Sequence, residues 1–354
     1  MDCPGKGGDE QPAISYTLPV VPPVAAAEST FPAQTVARLE RAMDTALSRT
    51  HARAISVSVR QGAAHWSSNR TGNGESPYPR YYWASVGKIL TAALVIRQLE
   101  ARDRGLETPV QQLMPAFPLP EVTVDHLLRH VSGLTSYNED PEFRQHPGAV
   151  RPELVLQRAL QRGRQFCPGS GWYYSNTGYQ QLSALLEHMS GESYAHYANA
   201  ELQKVLGPSS LQVLQPDELP PDVASLLSAS GPVIQPGWPQ GAGALVGSPD
   251  DMLKLWQAIL QQRFWKHFPA SRLFERMHPM FEPRLFYGRG VMRYEVPLDA
   301  GRVQTWLGHS GGTPGAQALV AWIPEQQVWI AVVLGGEGSA EATAALLARS
   351  LLQY

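Results

Sequence analysis

Apolar and polar positions along the chain fall into two rhythms. Between residues 35 and 50, Val36, Leu39, Met43 and Leu47 recur at three- and four-residue steps, which predicts a helix with one buried stripe. Residues 54–59 alternate with period two and predict a strand; Gly62 turns it, so that residues 65–67 can pair back. From Ile89 to about Glu100 the chain is apolar nearly all round. A helix without a polar face is a buried one, so this segment reads as a central helix that stops near Gly105.

Helical periodicity continues over residues 124–129, 152–162, 178–189 and 194–206. Residues 207–240 carry many prolines and read as an excursion with little regular structure. Helix returns over residues 248–262, where Pro249 and Asp250 suit a helix start. The last third turns to short, partly alternating runs at 287–294, 303–307, 317–323 and 328–334, followed by an Ala/Leu helix over 340–352. The predicted fold class is α/β plus α: an antiparallel sheet flanked by helices, with an inserted mainly helical lobe. Residues 35–100 and 243–354 form the first lobe and residues 101–242 the second. Residues 1–34, rich in Gly and Pro, read as a tether of polyproline character.

Composition narrows the function classes. Of 354 residues, 43% are hydrophobic and 17% charged, which fits a globular chain large enough for two lobes. A net charge of -2 gives no electrostatic case for nucleic acid. No apolar run approaches the roughly 18 residues of a membrane span. Cys3 and Cys167 are too few for a zinc or disulfide framework. The N-terminus does not read as a signal peptide, because Asp9 and Glu10 follow Lys6 and prolines interrupt the only apolar run. Cys3 is either a lipid-anchor site or an incidental cysteine in a tail.

The candidate chemistry begins at Ser85. A serine needs a base within reach and donors for the developing oxyanion. Lys88 is three residues on, so the two side chains share one face of a helix. Burial lowers a lysine pKa and lets it take a proton. His126 and His130 have a metal-like spacing, but Leu127 stands where the zinc motif has glutamate, and no metal or other cofactor is expected.

Ala84-Ser-Val-Gly-Lys88 resembles the nucleophile motif of serine β-lactamases and penicillin-binding proteins. Tyr174-Ser175-Asn176 resembles that family's second motif, in a setting similar to the class C β-lactamase and D-alanyl-D-alanine carboxypeptidase branch. His309-Ser310-Gly311 resembles its third. Residues 125–134 and 241–252 also match, and the resemblance covers roughly residues 50 to 335. It implies a β-lactamase-like fold and acyl transfer to water through a Ser85 ester. Tyr174, its pKa lowered by nearby cations, would be general base alone or with Lys88. Asn176 would hold Lys88 and a substrate amide. His309, Ser310, Gly311 and Gly312 would line the substrate, with the oxyanion between the N–H groups of Ser85 and Gly312. The resemblance also implies the periplasm, the envelope or secretion, and a small-molecule or short-peptide substrate with an amide, ester or β-lactam bond.

The third motif carries histidine where the β-lactamases of the branch usually have lysine. It thus lacks a fixed cation for a substrate carboxylate and favours a D-Ala-type peptidase or carboxylesterase with weak β-lactamase activity. Two other readings stand beside this one. The first is a penicillin-binding sensor that acylates without efficient turnover. The second is an α/β-hydrolase with Ser310 as nucleophile, because Gly308-His-Ser-Gly-Gly312 matches G-x-S-x-G. The second needs a helix after the serine and a histidine downstream, and the sequence offers neither.

Overall fold

The computed structural model describes residues 13–23, 29–50, 52–72, 77–145, 151–224, 226, 235–298 and 301–352. The expected lipid-anchor site at Cys3 lies outside them. Nine strands among the described residues form one sheet. Its order is Ser29–Thr30, Ala64–Thr71, Ala52–Gln61, Val328–Gly336, Ala316–Ile323, Val303–Thr313, Met292–Pro297, Leu285–Tyr287 and His278–Pro279. Neighbours run antiparallel, except that Ser29–Thr30 lies parallel to the start of Ala64–Thr71. The central strand Val328–Gly336 is buried at every residue, which explains its continuous apolar run in place of alternation.

Each face of the sheet has its own cover. Ile55, Val57, Val59, Leu319, Ala321, Ile330 and Val332 pack with the helices Ala33–Arg49 and Ala340–Leu352. Val320, Trp322, Ala331 and Val333 face the other way, towards the helices Lys88–Glu100 and Pro249–Leu260. The helices Asn176–Ser190 and Tyr194–Leu206 join the same core beyond Lys88–Glu100. The α/β architecture with flanking helices is therefore as the sequence implies.

Four local expectations change. Part of the expected tether is docked: Ile14 and Tyr16 donate backbone hydrogen bonds to Met277 and Phe274, Ser29–Thr30 edges the sheet, and Phe31 is buried. Residues 287–294 are not one strand, because a turn closed by the Gly288 N–H on the Val291 carbonyl (2.8 Å) divides them. The run expected to stop at residue 307 continues to Thr313. Gly308 sits so close to the next strand that a Cβ would lie 1.8 Å from the Val320 carbonyl oxygen, so the strand continues here without an apolar side chain to announce it. In the 207–240 excursion, Gln212–Val213 joins a small sheet with Tyr81–Tyr82 and Leu245–Gly247.

A buried ion network ties the helix Val124–Leu128 to the turn after Tyr287. Asp125 accepts from Arg129 Nε at 2.8 Å and from Arg289 Nε at 2.5 Å, and all three side chains are almost wholly buried. Burial opposes the Asp125 charge, but the guanidiniums of Arg289 and Arg129 outweigh it and hold the carboxyl below its ordinary range.

Candidate active site

Ser85 lies in the 3-10 turn Ala84–Gly87 that leads into the helix Lys88–Glu100. Within residues 81–96 it alone is not buried. The small sheet fixes this entry: Trp83 donates its backbone N–H to the Leu245 carbonyl at 2.9 Å and its indole N–H to the Gly247 carbonyl at 3.0 Å. Ala84 is held at φ 47°, a left-handed conformation that costs an alanine energy and persists only where surrounding contacts enforce it.

Lys88 reaches back along the helix face. Its Nζ lies 3.0 Å from Ser85 Oγ and 2.6 Å from the Ala242 carbonyl oxygen. The side chain is completely buried, and burial holds its pKa well below the ordinary lysine value. The Nζ also sits 5.1 Å from the Tyr174 ring centroid. Asn176 was expected to hold this lysine. Instead it donates its side-chain N–H to Asn138 Oδ1 at 2.9 Å, and the Ala242 carbonyl takes the lysine.

Tyr174 precedes the helix Asn176–Ser190, whose N-cap is Ser175, accepting from the Gly178 N–H at 3.3 Å. The cap fixes the segment beside Lys88, whose Nζ faces the Tyr174 ring. The expected acidification of Tyr174 is reversed: burial pushes its phenol up, and the neighbouring Ser85 side chain offsets this only in part. With Lys88 driven towards its neutral form, no fixed cation remains there to stabilise a phenolate.

His309 and Ser310 occupy opposite faces of Val303–Thr313. His309 is fully buried, with Nδ1–H donating to the Ser310 carbonyl at 2.5 Å and Nε2 lying 3.3 Å from the Tyr287 hydroxyl. Burial, then the nearby Lys88, push its pKa down to about 3, so the ring is neutral. Ser310 pairs with Leu319 and points to the other face, its Oγ 3.8 Å from Met292 Sδ, which also accepts from the Tyr294 hydroxyl at 3.0 Å. The side chain therefore does not line the space before Ser85, contrary to expectation. The elbow geometry is also absent, because Ser310 lies mid-strand and the chain runs on through Thr313 into the next strand. Gly311 presses on the segment that carries Ser85: a Cβ there would meet Ser85 N at 2.6 Å and the Trp83 carbonyl oxygen at 2.8 Å. Gly312 is exposed beside it.

Three neighbours escaped the reading of the sequence. Ala242 acts through its carbonyl, which leaves no mark in a side-chain pattern. Tyr287 looked like the first residue of a strand; its hydroxyl lies 3.2 Å from that of Tyr179 and next to His309. His130 stood out in the sequence only for its spacing from His126. It sits at φ 63°, accepts the Ser175 N–H on Nδ1 at 3.2 Å, and lies with its ring centroid 4.2 Å from that of Tyr174. The other histidine of that pair, His126, accepts the Thr123 N–H at 3.2 Å as part of a helix cap. Among the described residues, no group of three or more His, Cys, Asp or Glu side chains is placed to hold a metal ion.

Comparison with known proteins gives a family and a set of structural relatives. The family described as Beta-lactamase matches residues 37–353. Penicillin-binding protein 4* of Bacillus subtilis (strain 168) is 29% identical over 67% of this chain, which spans 56% of that protein. Esterase EstB of Burkholderia gladioli is 27% identical over 64% of this chain and 70% of its own. The D-amino acid amidase of Ochrobactrum anthropi SV3, solved with D-phenylalanine, superposes with a TM-score of 0.77 at 18% identity, covering 90% of this chain and 99% of its own.

Proposed function

Since the chain belongs to the Beta-lactamase family, we propose that it is a serine hydrolase that cleaves an amide or ester through an acyl-enzyme on Ser85. The observation that carries this reading is the environment of one oxygen. Ser85 Oγ lies 3.0 Å from a buried lysine nitrogen, and that nitrogen lies 5.1 Å from the Tyr174 ring centroid.

In this reading neutral Lys88 takes the Ser85 proton as Oγ bonds the acyl carbon. Tyr174 enters as a neutral phenol and gives its proton to the leaving atom. A transfer from Lys88 to Tyr174 then restores the pair. Water repeats the sequence in reverse to release the acid. The oxyanion meets the N–H groups of Ser85 and Gly312, whose fixed dipoles need no reorganisation. Asn176 and Gly311 border the substrate, Asn176 through its amide and Gly311 by leaving room at the nucleophile. His309 is a neutral wall that contributes shape and no charge.

That neutrality favours a peptidase or esterase over a dedicated β-lactamase, because a substrate carboxylate finds no fixed cation at the third motif. The similarity to a penicillin-binding protein and to an esterase supports the same range of substrates. Intact-mass spectrometry after a fluorophosphonate and, separately, a fluorescent penicillin tests the proposal. One adduct per chain, lost in Ser85→Ala, is expected; an adduct that survives Ser85→Ala overturns the assignment.

A further inference from the structure

Among the described residues, Phe281 is the one exposed phenylalanine or tryptophan, at 71% exposure. It stands in the loop between His278–Pro279 and Leu285–Tyr287. Its ring centroid lies 5.6 Å from that of Trp172, in an edge arrangement, and 5.9 Å from that of Tyr174. Tyr174 in turn stands against Lys88, whose Nζ lies 3.0 Å from Ser85 Oγ. A largely exposed aromatic ring is thus next to the candidate catalytic tyrosine, anchored by Trp172 and Tyr174 and open elsewhere. Exposed Glu282 and Arg284, which follow it in sequence, carry opposite charges, so the loop has no net sign.

We propose that Phe281 and Trp172 form a stacking subsite for an aromatic leaving group, so that the preferred substrates are esters or amides of aromatic alcohols or amines. The inference rests on the acyl-transfer reading above, because it uses Tyr174 as proton donor to the leaving atom. A group that receives its proton from Tyr174 must lie on the Tyr174 side of the acyl carbon, where these two rings stand. Ser85 Oγ bonds the acyl carbon, the bond from that carbon to the alcohol oxygen breaks, and the Tyr174 proton passes to the oxygen. The departing benzyl-type alcohol is then neutral and stacked on Phe281.

The test compares kcat/KM for methyl, cyclohexylmethyl and benzyl acetates in the wild type, Phe281→Ala, Phe281→Trp and Ser85→Ala. The wild type should favour the benzyl over the cyclohexylmethyl ester. Phe281→Ala should lower the benzyl rate by roughly three- to tenfold, the range of an aromatic pair, and leave the methyl rate within about twofold. Phe281→Trp should keep the benzyl preference. Equal loss on all three esters, or a benzyl preference that survives Phe281→Ala, overturns the subsite and leaves the hydrolase reading standing. No Ser85-dependent turnover of any ester overturns that reading and the subsite with it.

Discussion

Lys88 Nζ lies 3.0 Å from Ser85 Oγ while the lysine side chain has no exposure to water. A buried ammonium is costly, and here it is held by one carbonyl and one hydroxyl, with no carboxylate beside it among the described residues. The arrangement spends stability to keep a base next to a serine. Lys88→Met should therefore slow acylation by a fluorophosphonate about 10²–10⁴-fold while leaving the melting temperature unchanged or higher. Lys88→Arg should not restore the rate, because a guanidinium stays protonated. Time-resolved intact mass and a thermal melt check both statements.

Stability should carry a pH signature from His309. Its folded pKa is depressed to about 3 from 6.5, so the unfolded chain binds the proton first. The contribution is complete above the unfolded value and is lost as pH falls from about 6.5 towards the folded one. His309→Asn should flatten the pH dependence of urea unfolding across this window. Lys88 has the same sign at higher pH: its folded pKa is lowered, so its contribution is full above the ordinary lysine value and declines as pH falls. The acid limb of kcat/KM should accordingly reflect Lys88 and be absent from Lys88→Met.

Two adjacent glycines should behave differently. In Gly311→Ala the new Cβ meets backbone atoms of Ser85 and Trp83 at 2.6 and 2.8 Å, which cannot move without shifting the nucleophile. In Gly312→Ala it meets the end of the Gln317 side chain, which can swing away. Gly311→Ala should lower kcat/KM by at least about 10²-fold, the scale of a roughly 1 Å misplacement at a reacting centre. The measurement that decides is Ser85-dependent hydrolysis by the two variants, normalised to folded protein. Gly312→Ala should keep its fold and most of its acylation.

Asp125→Asn should be the most destabilising of these substitutions. It leaves Arg129 and Arg289 buried with one partner's charge removed, at a cost of about 3–5 kcal/mol. Because Arg289 belongs to the turn that follows Tyr287, activity should fall along with stability. Asp125→Leu combined with Arg129→Met and Arg289→Met should recover much of the denaturation free energy. Chemical denaturation of the single and triple variants tests this.

The sequence made the central helix legible because its apolar residues run all round, and made Ser85 and Lys88 legible because three-residue spacing on a helix puts side chains together. The antiparallel sheet followed from alternation, except where Gly308 to Gly312 carry little apolar signal. What escaped depends on three-dimensional placement. The Ala242 carbonyl has no side-chain signature. Ser310 lies beside His309 in sequence and across the sheet from it in space. The direction of the Tyr174 shift follows from burial outweighing the neighbouring Ser85 side chain, and burial at that depth is a property of the assembled lobes.

The sheet joins Ala52–Gln61 to Val328–Gly336, residues separated by most of the chain. During synthesis the serine and its lysine emerge long before the strand that carries His309 and Gly311 and the strand that locks the sheet around them. A ribosome-bound intermediate thus holds its nucleophile without an oxyanion site or a closed wall. Chemical competence arrives only when late-made strands pair with early-made ones, a long-range closure of the kind that slows folding.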